Sequence, residues 1–175
     1  MERDELVRYL KQALTDQAAG DKIKLEGAIL FGSWSLGTQT PDSDIDVLIV
    51  ARSIHSKRHR RGEEIASISR AVASLPLDVL LLTREEVISN FRNHNPLFLD
   101  IAEEGTILLD ETGFLSGLMY ETREYIRDRG IKRYGDGWQF PVEKGAAAYL
   151  SKGKPVGSGL AIQQFVFGYG SNCYS

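Results

Sequence analysis

FGSWSLGTQTPDSDIDVLIV, residues 31–50, is the stretch that decides how this chain is read. It opens with an apolar residue and a Gly-Ser pair, Gly32-Ser33. Ten residues rich in Gly, Thr, Pro, Asp and Ser follow, and Asp44-Ile45-Asp46 then runs straight into Val47-Leu48-Ile49-Val50. Gly32 lets backbone amides approach a ligand more closely than a residue with a Cβ would. Ser33 adds a hydroxyl, and both groups suit a phosphate, particularly if the segment opens a helix. Asp44 and Asp46 stand two apart on an expected strand, so both side chains leave the same face. Their Cα atoms lie about 6.6 Å apart, close enough for the carboxylates to share hard cations.

The surrounding chain alternates helices and strands. Leu6, Leu10 and Leu14 recur at helical spacing, which predicts a helix from Glu2 to about Ala19 with Gly20 as its stop. Leu25 to Phe31 reads as a strand that delivers Gly32-Ser33 at its end. Gly37 to Ser43 reads as a loop, and Asp44 to Ala51 as a second strand buried on both faces. Arg52 to Arg61 holds five Lys/Arg, two His and no acid, and leads into an expected helix that ends near Leu75. This run reads either as a solvated helix start or as a surface that steers a triphosphate or an acidic partner. Leu77 to Leu82 is a third apolar strand, and it carries Asp78 near its start. Thr83 and Glu86 form a capping-box pattern for a helix to about Arg92. Asn95-Pro96 starts another helix, which Gly105 ends. Thr106 to Asp110 is a short fourth strand, and Phe114 to Arg129 is the last clear helix.

Beyond Gly130 the periodicity fades. Residues 131–175 carry eight glycines, which places a domain at 1–130 and a Gly-rich extension of unassigned role at 131–175. The apolar, aromatic stretch Leu160 to Tyr169 suits docking, either on its own domain or on a partner. Trp138 reads as a packing anchor for the extension.

The chain has 175 residues and a formal net charge of −3. Residues 131–175 contribute +3 (five Lys/Arg against two Asp/Glu), which leaves −6 on residues 1–130. An acidic main domain argues against broad nucleic-acid binding. No apolar run approaches the roughly 18 residues needed to span a membrane. The charged N-terminus is unlike a secretory signal, and the single cysteine, Cys173, permits no internal disulfide; both point to a cytoplasmic protein.

Three carboxylates, Asp44, Asp46 and Asp78, meet if the second and third strands are neighbours. At about 4 Å and an effective dielectric of 20, each ionised pair costs on the order of 4 kcal/mol. Cations must offset such a cluster, and Mg²⁺ prefers oxygen ligands plus substrate phosphates. Several other residues have two readings. Ser43 is a loop or capping residue, or a ligand. Trp34 packs its loop, or stacks on a base. His55 and His59 have the i,i+4 spacing of a metal pair, with no carboxylate or Cys evident to complete a zinc site. His94 reads most simply as a surface residue.

Phe31, Gly32, Ser33, Gly37, Ser43, Asp44, Ile45, Asp46 and Val47, together with Leu77-Asp78-Val79, resemble the signature of the DNA polymerase β-like nucleotidyltransferases, and within them the minimal nucleotidyltransferase (MNT) group. The resemblance covers roughly residues 1–130. It implies an α+β fold with a small mixed sheet flanked by helices, and in-line transfer of a nucleoside monophosphate, AMP above all, from an NTP to a hydroxyl. It further implies two Mg²⁺ ions held by Asp44, Asp46 and Asp78, with Asp78 accepting the hydroxyl proton and Gly32, Ser33 and Ser43 near the nucleotide. A common role in the MNT group is antitoxin to a HEPN ribonuclease, so a HEPN-type partner is implied. The alternatives are a binding module with little turnover and a small-molecule transferase of the aminoglycoside type. Ser35-Leu36 departs from the Ala-Arg found in many relatives, which bears on catalysis.

Overall fold

The computed structural model describes residues 1–18, 23–72, 75–135 and 137–141. Helix α1 (Arg3–Ala18) is followed by β1 (Lys24–Leu30), the short α2 (Gly32–Leu36) and β2 (Ile45–Arg52). Then come α3 (Gly62–Ala71), β3 (Leu77–Leu82), α4 (Arg84–Arg92) and α5 (Pro96–Glu104). β4 (Thr106–Leu109), α6 (Phe114–Asp128), β5 (Lys132–Tyr134) and β6 (Gly137–Gln139) complete it.

The first four strands form one mixed sheet in the order β3-β2-β1-β4, and β5 pairs with β6 in a separate hairpin. β1 pairs antiparallel with β2 and β4, and β2 pairs parallel with β3 across the α3 connection. The result is the expected α+β architecture, a small mixed sheet flanked by helices.

The apolar run of β2 is buried on both faces, because strand side chains alternate. Val47, Ile49 and Ala51 join Ala28, Leu30, Val79 and Leu81 on one face, covered by Leu6, Leu10 and Leu14 of α1 and Ile68 of α3. Leu48, Val50, Ile29 and Leu82 face the other way, under Phe91 of α4, Phe98 and Ile101 of α5, and Leu115 and Met119 of α6. Asp44, Asp46 and Asp78 share the parity of this second row, and so belong to the face that α4, α5 and α6 cover.

The helix starts follow local chemistry. Thr83 Oγ1 accepts from the Glu86 amide at 3.3 Å and Glu86 Oε2 accepts from the Thr83 amide at 2.8 Å, a complete capping box. Asn95 Oδ1 accepts from the Leu97 amide, with Pro96 opening α5.

Three differences from the sequence reading carry weight. The basic run is mostly irregular, with one 3₁₀ turn at Arg58–Arg60, and α3 begins only at Gly62. His94 is buried, not on the surface: its ring stacks on Tyr125 with centroids 3.5 Å apart. Residues 132–139 form a hairpin that the sequence pattern did not show. Its strands are three residues each, too short to display an alternation, and Gly135 turns between them at φ 56°. Trp138 is the expected packing anchor. It packs beside Leu99, Tyr125 and Ile126, and its Nε1 donates to Asp100 Oδ1 at 2.9 Å. Gly20, Leu160 to Tyr169 and Cys173 lie outside the described residues.

Candidate active site

The register of β2 and β3 brings the acids together. Asp46 stands opposite Asp78 in the parallel pair, one inter-strand spacing of about 4.8 Å away. Asp44 lies just before β2, two residues along and on the same side. Asp44 and Asp78 are exposed, and Asp46 is half-buried. Burial pushes the Asp46 carboxyl up to about 6, helped by the neighbouring charges of Asp78 and Asp44. Among the described residues no Lys, Arg or His lies within ion-pair distance of these three acids.

The Gly-Ser turn lies directly against this cluster. Phe31 donates its amide to the Asp46 carbonyl at 3.0 Å, which brings the end of β1 beside the acids. The chain then turns into α2 at Gly32, φ +67°. A Cβ on Gly32 would lie 2.3 Å from Asp46 Oδ2. Glycine is therefore required here for a reason the sequence did not show: the backbone touches a carboxylate of the site itself. α2 does open at Gly32-Ser33, and no side chain caps its start.

Gly32→Ala adds both a clash with Asp46 and a positive-φ strain, which costs about 1–3 kcal/mol in stability. Gly37→Ala is the control, since Gly37 has φ +72° but a Cβ there would meet nothing nearer than Arg3 Cδ at 4.0 Å. Thermal melts should show a loss for both. Nucleotide binding should fall sharply only for Gly32→Ala.

The loop between the turn and the acids is closed by its own side chains. Trp34 Nε1 donates to the Ser43 carbonyl at 3.2 Å, and its ring packs partly buried against the core. Ser43 Oγ accepts from the Thr40 amide at 2.9 Å and lies 3.1 Å from Thr40 Oγ1. Trp34 and Ser43 are thus engaged in holding the loop. Leu36 is half exposed.

The basic run lies elsewhere. It follows the far end of β2, and the six residues from Asp46 to Arg52 span about 20 Å. Arg61, the last of the run, is 1 % exposed and pairs with Glu86. It steers no ligand. A cavity of about 310 Å³ bordered by Glu26, Arg52, Ser53, Thr83 and Arg84 also lies at that far end, away from the acids.

The donor set fits Mg²⁺. Three carboxylates offer hard oxygens, and burial, followed by the charges of Asp78 and Asp44, raises the pKa of Asp46. Among the described residues no three acidic, His or Cys side chains are already drawn tightly enough together to hold one ion. Like charges splay when nothing offsets them, so a bound cation would draw these carboxylates together.

A mixed sheet with a Gly-Ser turn at the end of one strand, two acids starting the next and a third in register beside them defines a nucleotidyltransferase of the polymerase β-like fold. The family comparison agrees: the model of the nucleotidyltransferase domain matches residues 10–109, more than half of the chain. The chain belongs to this nucleotidyltransferase domain family and is an enzyme of the transferase class.

Solved structures with similar folds include a candidate nucleotidyltransferase from Sulfolobus solfataricus, 20% identical at TM-score 0.42, covering 62% of this chain and 84% of that one. A toxin-antitoxin structure with AMP-PNP is 22% identical at TM-score 0.41, covering 71% and 92%. A complex of tri-AMPylated Shewanella oneidensis HEPN toxin with MNT antitoxin is 16% identical at TM-score 0.39, covering 71% and 92%. At this distance they say nothing about substrate or partner. Among curated proteins none matches the chain significantly.

Proposed function

We propose that this chain transfers AMP from ATP to a hydroxyl group of a partner protein, in a Mg²⁺-dependent reaction, and that the partner is a HEPN-type toxin which it neutralises. The observation that carries the transfer reaction is the placement of Gly32 against Asp46, with Asp78 in register beside it. The MNT-like motif over residues 31–50 favours a protein acceptor.

In this reading Asp44, Asp46 and Asp78 hold two Mg²⁺ ions. The ions would offset the carboxylates' repulsion and supply Lewis-acid stabilisation to the phosphates. The amides of Gly32 and Ser33 and the Ser33 hydroxyl hold the β and γ phosphates. Asp78, exposed at the start of β3, accepts the proton of the acceptor hydroxyl. The acceptor oxygen bonds to the α-phosphorus, the bond from that phosphorus to the pyrophosphate breaks, and pyrophosphate leaves. Ser43 acts near the nucleotide by closing the loop. The acidic balance of residues 1–130 gives a nucleic-acid acceptor no support.

A second reading is a binding module that neutralises its partner sterically. Half-exposed Leu36, where many relatives carry Arg, favours it. Incubation of the full chain with Mg²⁺ and each α-³²P-labelled NTP, with and without the neighbouring gene product, separates the two. Label on the neighbour, from ATP alone, is the expected result. A stable complex without label would support the binding module. Neither label nor complex would overturn both and direct the search to small-molecule acceptors.

The division near residue 130 also stands as a proposal. The part of the extension up to Pro141 docks on α5 and α6. A truncation after Pro141 keeps that packing and should retain Mg²⁺-nucleotide binding. Among the described residues no helix is long and apolar enough to cross a membrane. A cytoplasmic location is proposed on the basis of the single cysteine.

A further inference from the structure

We infer that Arg3, in the first turn of α1, is a positioning residue for the nucleotide-binding turn: it anchors the far end of α2 and so holds Gly32 and Ser33 in place beside the acids. The inference rests on the reading of this site as a triphosphate site. α2 is a helix of five residues, far below the length at which a helix holds its own shape. Something outside it must fix its geometry.

The packing around Ser35 supplies that anchor. Arg3 Nε donates to the Ser35 carbonyl at 3.0 Å, and Arg3 Nη2 donates to Thr106 Oγ1, also at 3.0 Å. Ser35 is buried; its Oγ donates to the Glu104 carbonyl at 2.5 Å and lies 3.0 Å from Thr106 Oγ1. Arg3, Ser35 and Thr106 thus close a ring of contacts that joins α1, α2 and β4.

Arg3 Nε and Nη2 point at these two different acceptors while Nη1 donates to Asp4 Oδ1 at 3.1 Å, a geometry that the planar guanidinium supplies and a single ammonium does not. α2 is about 7 Å long. A tilt of its anchored end is therefore passed directly to Gly32 and Ser33 at the other end. Arg3 acts on the phosphates through this helix, and a small misplacement of a positioned group is costly to binding.

The test compares wild type with Arg3→Ala, Arg3→Lys and Thr106→Val, and uses Tyr9→Phe as the control. Tyr9 Oη donates to the Val72 carbonyl at 3.1 Å, so it tethers α1 to the end of α3 instead. The first readout is hydrogen exchange over residues 31–37 in the full chain without nucleotide. The second is the dissociation constant of Mg²⁺ with the non-hydrolysable analogue AMP-PNP.

Exchange over 31–37 should accelerate in Arg3→Ala and Thr106→Val but not in Tyr9→Phe. The dissociation constant should rise about tenfold in Arg3→Ala, with Arg3→Lys between it and wild type. Unchanged exchange over 31–37 in Arg3→Ala, or an equal change in Tyr9→Phe, would overturn the inference. If wild type itself binds no AMP-PNP, the triphosphate reading fails, and exchange alone decides whether Arg3 holds α2.

Discussion

Asp46→Asn is expected to abolish nucleotidyl transfer and, once divalent metal is removed, to make the folded protein more stable at neutral pH. Both effects come from the same charge. In the folded protein the Asp46 carboxyl sits at about 6 instead of 3.8, because burial and then Asp78 and Asp44 oppose its ionisation. The folded state therefore binds this proton more tightly than the unfolded chain does. The stability it contributes is full below about pH 4 and is lost as pH rises through about 6. At face value the shift corresponds to roughly 3 kcal/mol at pH 7. Asp46 is only half-buried, and screening reduces this to about 1–2 kcal/mol.

Asn keeps the shape and removes the charge. In EDTA at pH 8 its melting temperature should exceed that of wild type, and near pH 4 the two should converge. Mg²⁺ should reverse the order by stabilising wild type alone. Equal melts at pH 8 in EDTA would show that the acids do not strain one another. Full transfer activity in the folded variant would remove Asp46 from the metal site.

Arg61→Met should bring the largest loss of stability, about 3–5 kcal/mol. Arg61 is 1 % exposed and makes five hydrogen bonds. Nε donates to the His55 carbonyl at 2.7 Å, Nη1 to the Leu81 carbonyl at 2.9 Å, and Nη2 to the Ser56 carbonyl at 3.2 Å. The two Nη atoms also fork onto Glu86 at 2.7 and 3.0 Å. Burial works against the charge of Glu86, but Arg61 and the Thr83 amide outweigh it and hold the carboxyl below its usual range.

Met fills the volume of Arg61 and leaves Glu86 and three carbonyls without this donor. Lys reaches one of them and lacks the fork, so Arg61→Lys should recover little. Arg61→Met/Glu86→Gln should recover part of the loss, since it also removes the unpaired charge. Urea unfolding measures all three. Neutralising exposed Lys57, Arg58 and Arg60 should leave both stability and nucleotide binding unchanged, because they stand at the end of the sheet away from Asp46. If Arg61→Met unfolds at the wild-type urea midpoint, the buried network contributes nothing.

How much of this was legible in the chain depends on the range over which each feature is encoded. The Gly-Ser turn, the Asp-x-Asp pair and the apolar run after it lie within twenty residues, and local geometry places them. Asp78 was legible through the resemblance, in Leu77-Asp78-Val79, while its meeting with Asp46 depended on β2 and β3 being neighbours, which the sheet register supplies. The capping box at Thr83 and the Pro start at Pro96 were equally local. Arg61 could not be told from Arg58 or Arg60, since charge along a sequence does not show which guanidinium is buried. His94 looked like a loop residue because its cover, Tyr125, lies on another helix.

The sequence alone determined the strand and helix order as far as α6 and picked out the acids and the Gly-Ser turn, since each follows from backbone geometry, side-chain periodicity and motif over a few residues. The tertiary structure alone decided that Gly32 rests against Asp46, that Asp46 is pushed to about 6, that Arg61 is a core residue, and that Arg3 reaches Ser35 and Thr106. Those features arise from contacts that reach as far as 103 residues along the chain, which only packing brings together and which leave no periodic trace in the sequence.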